Sequence, residues 1–196
     1  DIFVRPVRYA VCEAGQVGTL AGRQLPAMPM VGTYRTAIDT TVIYIDRDFK
    51  APGGQVVRRL RPAVVEPGHL PSDSAVLILP LRAKPTLFAM GAPWPVTLLL
   101  PDSTSRDLPP ADVSRYGPAL VDGHVSLIVR VPPASFRLLA AARAARLAIA
   151  SDTFRVDGKL HESIRALYYA ARCGWEYTSA NKRMDQSWRG RAVMAG

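Results

Sequence analysis

At 196 residues, of which 48% are hydrophobic, the chain is long enough to bury one sizeable core. Lysine and arginine number 25 against 16 acidic residues, and the formal net charge of +9 favours an acidic partner such as nucleic acid, anionic lipid or an acidic protein surface. No apolar run approaches the roughly 20 residues that a helix needs to cross a bilayer, so the sequence offers no transmembrane span, although binding to a membrane surface stays open.

The first two thirds of the chain predict a loop-rich β structure. The 17 prolines all lie before residue 134, between short apolar runs, which disfavours a helical bundle. Strands are predicted at residues 3–11, 40–46, 55–65, 76–81, 94–100 and 106–108. The last two form a hairpin around the turn at residues 101–104, and a short helical turn is predicted at residues 111–116. The strand at residues 55–65 carries an arginine cluster and is placed at an exposed sheet edge, where charge discourages unwanted strand pairing.

A strand, a helix, a hairpin and a second helix follow one another between residues 125 and 174. Leu127, Val129 and Val131 recur with a period of two, which indicates a strand with one buried face. Pro133 suits the first turn of a helix that is predicted to end near residue 145. Two apolar runs, at 146–150 and 153–156, then predict a tight hairpin with its turn at residues 151–152.

The final helix has an apolar stripe with helical spacing, formed by Leu160, Ile164, Leu167, Tyr168 and Ala171. His161 is predicted to lie on or near its exposed side. Residues 175–196 are polar with little periodicity, which is typical of a tail that becomes ordered against a partner. The sequence thus predicts an α+β fold: a predominantly antiparallel β-sheet with a C-terminal strand-helix-hairpin-helix unit, forming a single domain over residues 1–174, and an extended polar tail over residues 175–196.

Basic clusters and tryptophans mark the candidate partner-binding residues. One arginine cluster is dense, a looser one lies near the C-terminus, and tryptophans, which are enriched at binding hot spots, flank the polar tail. Seven residues are therefore candidates for contact with a partner: Arg58, Arg59, Arg61, Trp175, Trp188, Arg189 and Arg191. The excess of arginine over lysine suits bidentate contacts with carboxylate or phosphate, and it equally suits a GC-rich genome.

Motifs for catalysis or cofactor binding are missing from the sequence. It has no Gly-x-Ser-x-Gly elbow and no glycine-rich phosphate loop, and its three histidines lie far apart without metal-ligand spacing. The sequence therefore predicts no catalytic residue, no cofactor and no metal site. An enzyme that uses the dispersed carboxylates Asp39, Asp46 and Asp48 is the weakest of the alternatives.

Two features bear on the cellular compartment. Cys12 and Cys173 stand near opposite ends of the chain, which is compatible with one disulfide that closes most of the domain and with two isolated buried thiols. The chain begins at Asp1 rather than at methionine, and removal of a signal peptide from an exported, periplasmic protein is one explanation.

Together these features favour a non-catalytic accessory or structural subunit that binds an acidic or membrane-associated protein partner. The alternative is a virion or nucleoprotein component whose basic surface contacts nucleic acid. Tyr9, Tyr34 and Tyr44 lie close to arginines in the sequence, as they do in surfaces that bind single strands, but they equally fit ordinary strand positions.

Overall fold

The structure is a computed structural model that describes residues 2–9, 30–35, 38–45, 47–68, 73–90, 92–113, 125–173 and 175–177. Thirteen antiparallel strands within these residues form one hydrogen-bonded sheet. The strands are β1 (Ile2–Tyr9), β2 (Met30–Arg35), β3 (Thr40–Ile45), β4 (Phe49–Lys50), β5 (Val57–Leu60), β6 (Ala63–Pro67), β7 (Val76–Ala83), β8 (Trp94–Leu99), β9 (Ser105–Val113), β10 (Val125–Val131), β11 (Ala145–Ile149), β12 (Asp152–Val156) and β13 (Trp175–Tyr177). The helices are α1 (Pro133–Ala141) and α2 (Gly158–Cys173), with a 3-10 helix at Pro85–Met90. The predicted α+β fold with a predominantly antiparallel sheet is confirmed.

Along the sheet the strands follow the order β12-β11-β8-β9-β10-β7-β6-β3-β2-β1-β13. β5 lies off this path, because it pairs with β7 on one side and with the short β4 on the other. β6 pairs with the start of β7 and β5 pairs with its end, so both strands share one edge of β7. β10 occupies the other edge. Strands from distant parts of the sequence therefore meet around β7.

The core lies between one face of the sheet and the two helices. Alternate residues of β10 are buried as predicted, and the predicted stripe of α2 is buried along its whole length. α2 packs on α1 and on β1, β3 and β6. Phe136 of α1 meets Tyr168 of α2 edge to face, with ring centroids 5.1 Å apart. Amphipathic patterning thus predicted the buried faces of β10 and α2 correctly.

Several local predictions were wrong. Residues 55–65 do not form a sheet edge, because β5 pairs with β4 and β7, and β6 pairs with β3 and β7. Residues 55–65 form two strands instead of one, because the chain breaks at Pro62, which has no N–H to donate to a sheet ladder. α1 ends at Ala141 rather than near residue 145, since Ala142 already has extended backbone angles. Residues 111–113 continue β9 and are not helical.

The hairpin between β11 and β12 exists, but its turn is shifted by one residue. Ile149 pairs with Asp152, so Ala150 and Ser151 form the loop. Ala150 has a φ of 51°, the left-handed value that a tight hairpin loop requires. Asp152 is consequently a strand residue, and it is buried.

The first residues after α2 belong to the sheet. β13 pairs with β1, and Tyr9 lies directly opposite Trp175. The remainder of the predicted tail, residues 178–196, lies outside the described residues. None of the helices in the described part of the chain is both long and apolar enough to cross a membrane.

Candidate functional site

A β-bulge in β5 turns two adjacent arginines outward. The register with β7 steps from Val57 opposite Ala83 to Arg59 opposite Arg82, which leaves Arg58 as the extra residue. Strict alternation would direct one of two neighbouring side chains into the core. Because of the bulge, Arg58 and Arg59 are both exposed while Val57 and Leu60 on either side are buried.

Three cationic residues lie directly opposite one another on adjacent strands. Lys50 of β4 pairs with Arg59 of β5, and Arg59 pairs with Arg82 of β7. We call Lys50, Arg59 and Arg82 the basic row. All three side chains are exposed, and none of them has an ion-pair partner among the described residues. Neighbouring strands are about 4.8 Å apart, so the row concentrates three positive charges within about 10 Å.

Like charges directly opposite each other in a sheet destabilise it. A second opposed pair, Arg146 of β11 and Arg155 of β12, shows one way in which such repulsion is relieved. There Arg155 Nε lies 3.2 Å from Asp157 Oδ2. The basic row has no such carboxylate in the described structure, so an external anion would stabilise it.

A cleft of about 250 Å³ adjoins the basic row. Its lining consists of Asp48, Arg59, Leu60, Arg61, Pro80, Leu81, Arg82 and Ser126. Arg61 Nε donates a hydrogen bond of 3.0 Å to Asp48 Oδ1, which holds this guanidinium at the wall. Ser126 of β10 lies opposite Arg82 and continues the row onto a further strand. Three guanidinium groups face one carboxylate, so the lining carries two net positive charges.

The buried carboxylate of Asp152 fixes the segment that leads into β5. It accepts hydrogen bonds of 2.8, 2.9 and 2.7 Å from the backbone N–H groups of Gln55, Val56 and Val57. The backbone N–H of Arg155 also donates to the carbonyl of Pro52, at 2.8 Å. The start of β5, and with it the bulge, is therefore held by the β11–β12 hairpin.

The structure brings part of the predicted partner-binding set together. Arg59 and Arg61 share the cleft, and Arg58 is exposed beside it. Sequence reasoning missed Lys50 and Arg82, because neither belongs to a dense basic cluster and only strand pairing places them beside Arg59.

The other predicted positions are not tested by the described geometry. The backbone of Trp175 lies in β13, but its side chain is outside the described set. Trp188, Arg189, Arg191 and Cys12 lie outside the described residues, as does the side chain of Cys173.

The dispersed carboxylates do not converge on one site in the described structure. Asp39 precedes β3 and Asp48 follows it, and the six residues of that strand span about 20 Å. Asp46 lies outside the described residues. Among the described residues, no group of three histidine, cysteine, aspartate or glutamate side chains is placed to hold a metal ion.

A second cleft, of about 190 Å³, lies where α1 meets the end of α2. Its polar lining is partly neutralised internally, because Arg172 pairs with Asp73. The guanidinium of Arg172 also lies 5.9 Å from the ring centre of Tyr168. This cleft thus offers less uncompensated charge than the one beside the basic row.

Glu66 and His161 are buried titratable residues that line neither cleft. Glu66 of β6 is fully buried opposite Thr41, and neither carboxylate oxygen has a hydrogen-bond partner among the described residues. Burial raises the pKa of Glu66 to about 9, so it is a neutral acid at physiological pH.

The prediction that His161 is exposed was wrong. It is only 5% exposed, and its Nε2 lies 3.2 Å from the carbonyl oxygen of Ala140. Burial lowers the pKa of His161, which favours the neutral ring. The residue therefore ties α2 to α1.

No protein-family model matches this sequence, and no curated protein and no solved structure was found to match it. The interpretation of the site accordingly rests on its geometry and charge.

Proposed function

We propose that this protein is a non-catalytic accessory or structural subunit that binds an acidic protein partner through the basic row and the adjoining cleft. The observation that carries the proposal is the direct opposition of Lys50, Arg59 and Arg82 on three adjacent strands without a compensating carboxylate in the described structure. An acidic surface would supply the missing charges and favour fast, oriented association. The formal net charge of +9 also favours association with an acidic surface.

An acidic protein is favoured over single-stranded nucleic acid by the exposed surface of those residues whose side chains the structure describes. Sequence-tolerant binding of single strands relies on exposed aromatic rings that stack on bases, each contributing about 1–3 kcal/mol. Among the residues whose side chains the structure describes, which do not include Tyr9, Tyr34 or Trp175, the exposed large hydrophobic residues are Ile38, Val113 and Leu138, and none of them is aromatic. The nucleoprotein function is therefore the second candidate, supported by charge alone.

The test is binding of the full chain to fluorescent poly-glutamate, measured by anisotropy at low ionic strength. Exchanging Lys50, Arg59 and Arg82 for glutamine should weaken binding about tenfold, because three exposed ion pairs contribute about 0.5 kcal/mol each. The matched control exchanges three exposed arginines elsewhere, Arg106, Arg143 and Arg146, and changes the net charge equally.

Equal losses of affinity for poly-glutamate in the two triple variants would contradict the proposal, because they would show that binding depends only on net charge. Competition against single-stranded and duplex DNA decides between the two candidates. The nucleoprotein function would be favoured if DNA displaced poly-glutamate from the basic row and bound more tightly than poly-glutamate at every salt concentration.

A further inference from the structure

The cleft beside the basic row has the charge and size to receive one doubly charged group. Its lining carries two net positive charges, from three guanidinium groups and the carboxylate of Asp48. We propose that it binds a phosphomonoester dianion, the phosphorylated side chain of the acidic protein partner. This inference rests on the proposed function and specifies its ligand.

Arg59 and Arg82 supply the hydrogen-bond donors. Each guanidinium offers five N–H donors, and neither has a hydrogen-bond or ion-pair partner in the described structure. Directly opposite residues of an antiparallel pair have Cα atoms about 5 Å apart, which is less than the reach of an arginine side chain. Both guanidinium forks can therefore meet on one anion.

The walls of the cleft add orientation. Asp48 accepts a hydrogen bond from Arg61 Nε and thereby fixes a third guanidinium at the edge of the site. Ser126, opposite Arg82, brings a hydroxyl donor from the neighbouring strand. Pro80 lies on the same exposed face of β7 as Arg82 and adds an apolar part to the lining.

Charge balance favours phosphate over carboxylate. A carboxylate has one negative charge and would leave the cleft with an uncompensated positive charge. A phosphomonoester carries about −1.5 to −2 at neutral pH and has three acceptor oxygens for the arginine forks. A cleft of about 250 Å³ is also smaller than most cofactor and drug pockets, so it suits a single functional group.

The experiment compares short, blocked glycine peptides whose central residue is phosphoserine, glutamate or serine. Binding to the full chain is measured by calorimetry at neutral pH and low ionic strength, with inorganic phosphate as a fourth probe. We expect the phosphoserine peptide to bind at least about tenfold more tightly than the glutamate peptide. Arg59→Gln and Arg82→Gln should each abolish this preference, while Arg146→Gln, an exposed arginine on β11, should leave it unchanged.

Equal affinity for the phosphoserine and glutamate peptides would overturn the inference. If poly-glutamate still required the basic row in that case, the proposed function would stand without it. Equal affinity for inorganic phosphate and the phosphoserine peptide would also overturn it, in favour of a free anion. Loss of poly-glutamate recognition by the row would instead remove the proposed function itself. Arg59 and Arg82 are exposed, and an unchanged thermal midpoint would show that their variants fold.

Discussion

Glu66 lies on the core face of β6, opposite Thr41 of β3, without a described hydrogen-bond partner for either carboxylate oxygen. Its ordinary pKa of 4.5 applies to the unfolded chain, whereas burial raises the pKa in the folded state to about 9. Between these values the folded state holds a proton that the unfolded state has released. Stability is therefore fully present below pH 4.5 and is lost progressively as the pH rises towards about 9.

Exchange of Glu66 for glutamine should remove this dependence of stability on pH. One pKa unit corresponds to about 1.4 kcal/mol, so the wild-type free energy of unfolding should fall by about 3 kcal/mol between pH 4.5 and 7 because of this group. Urea unfolding over a pH series measures the effect, with the exposed Asp107→Asn as the control. If the free energy of unfolding changed with pH in the same way in the wild type and in Glu66→Gln, the raised pKa assigned to Glu66 would be contradicted.

Asp152→Ala should destabilise the fold and loosen the start of β5. The substitution removes the acceptor of three backbone N–H groups, at Gln55, Val56 and Val57. Unsatisfied buried donors of this kind cost about 3 kcal/mol or more together. Urea unfolding should show this loss, and hydrogen exchange should accelerate first at those three amides.

The control for Asp152→Ala is Asp107→Ala, because Asp107 is an exposed acid that accepts a hydrogen bond only from Thr97 among the bonds described for it. That change should cost about 0.5 kcal/mol or less. Equal protection of residues 55–57 in the wild type and Asp152→Ala would contradict the role given to this carboxylate.

The roles of Glu66 and Asp152 could not be predicted from the sequence. The three amides that bind Asp152 lie 95 to 97 residues away, and nothing in the local pattern of the hairpin indicates them. Glu66 precedes a Pro-Gly turn, where a surface position is the ordinary expectation for an acid. Each role depends on strands that meet only in the folded chain.

At the scale of elements, the β11–β12 hairpin contains a local strain that a substitution should relieve. Ala150 has a φ of 51°, where a Cβ atom costs about 1–2 kcal/mol. Ala150→Gly removes that cost and adds about 0.5–1 kcal/mol of unfolded-state entropy, so we expect a net stabilisation of about 0.5 kcal/mol. Thermal unfolding measures it as a rise of about 1–2 °C.

The matched control is Ala148→Gly, at a regular strand position of β11. It should destabilise the protein by about 1 kcal/mol, because glycine gains no backbone relief there. A loss of stability in both variants would contradict the strain at Ala150.

Elements with a strong local signal were predicted well, and those that depend on their neighbours were not. The apolar stripe of α2 and the alternation in β10 follow from the spacing of apolar residues alone, and this spacing can be read directly from the sequence. The division between β5 and β6 required Pro62 to be weighed against strand-forming residues on both sides of it. The pairing of β13 with β1 extends the sheet into residues whose polarity favoured a tail.

At the scale of the whole molecule, the candidate site illustrates what strand register adds to sequence. The arginine cluster of β5 was recognisable because its members are neighbours in the chain. Lys50 and Arg82 lie outside that cluster in the sequence, and only the β4–β5–β7 ladder places them opposite Arg59. Register between distant strands is set by packing and turn geometry throughout the sheet, so no local motif records it.

The β1–β13 ladder joins two strands that lie close in sequence to Cys12 and Cys173, between which a disulfide is predicted. Tyr9, three residues before Cys12, pairs directly with Trp175, two residues after Cys173. A bond there would close a loop of about 160 residues and, in the chain-entropy model, stabilise the fold by about 5 kcal/mol. We expect protein refolded in a glutathione buffer to resist alkylation under denaturing conditions until it is reduced, and reduction to lower the urea midpoint.

The Cys12→Ser variant separates the disulfide from a general effect of the reductant. Before any reductant is added, the urea midpoint of this variant should already be lower than that of the oxidised wild type. Reduction should not change it further, because Cys173 then has no partner within the chain. Alkylation of both thiols in the unreduced wild type would instead support two free cysteines. Since disulfides persist in oxidising compartments, a protected pair would also favour the expectation from the sequence that the protein is exported, and free thiols would disfavour it.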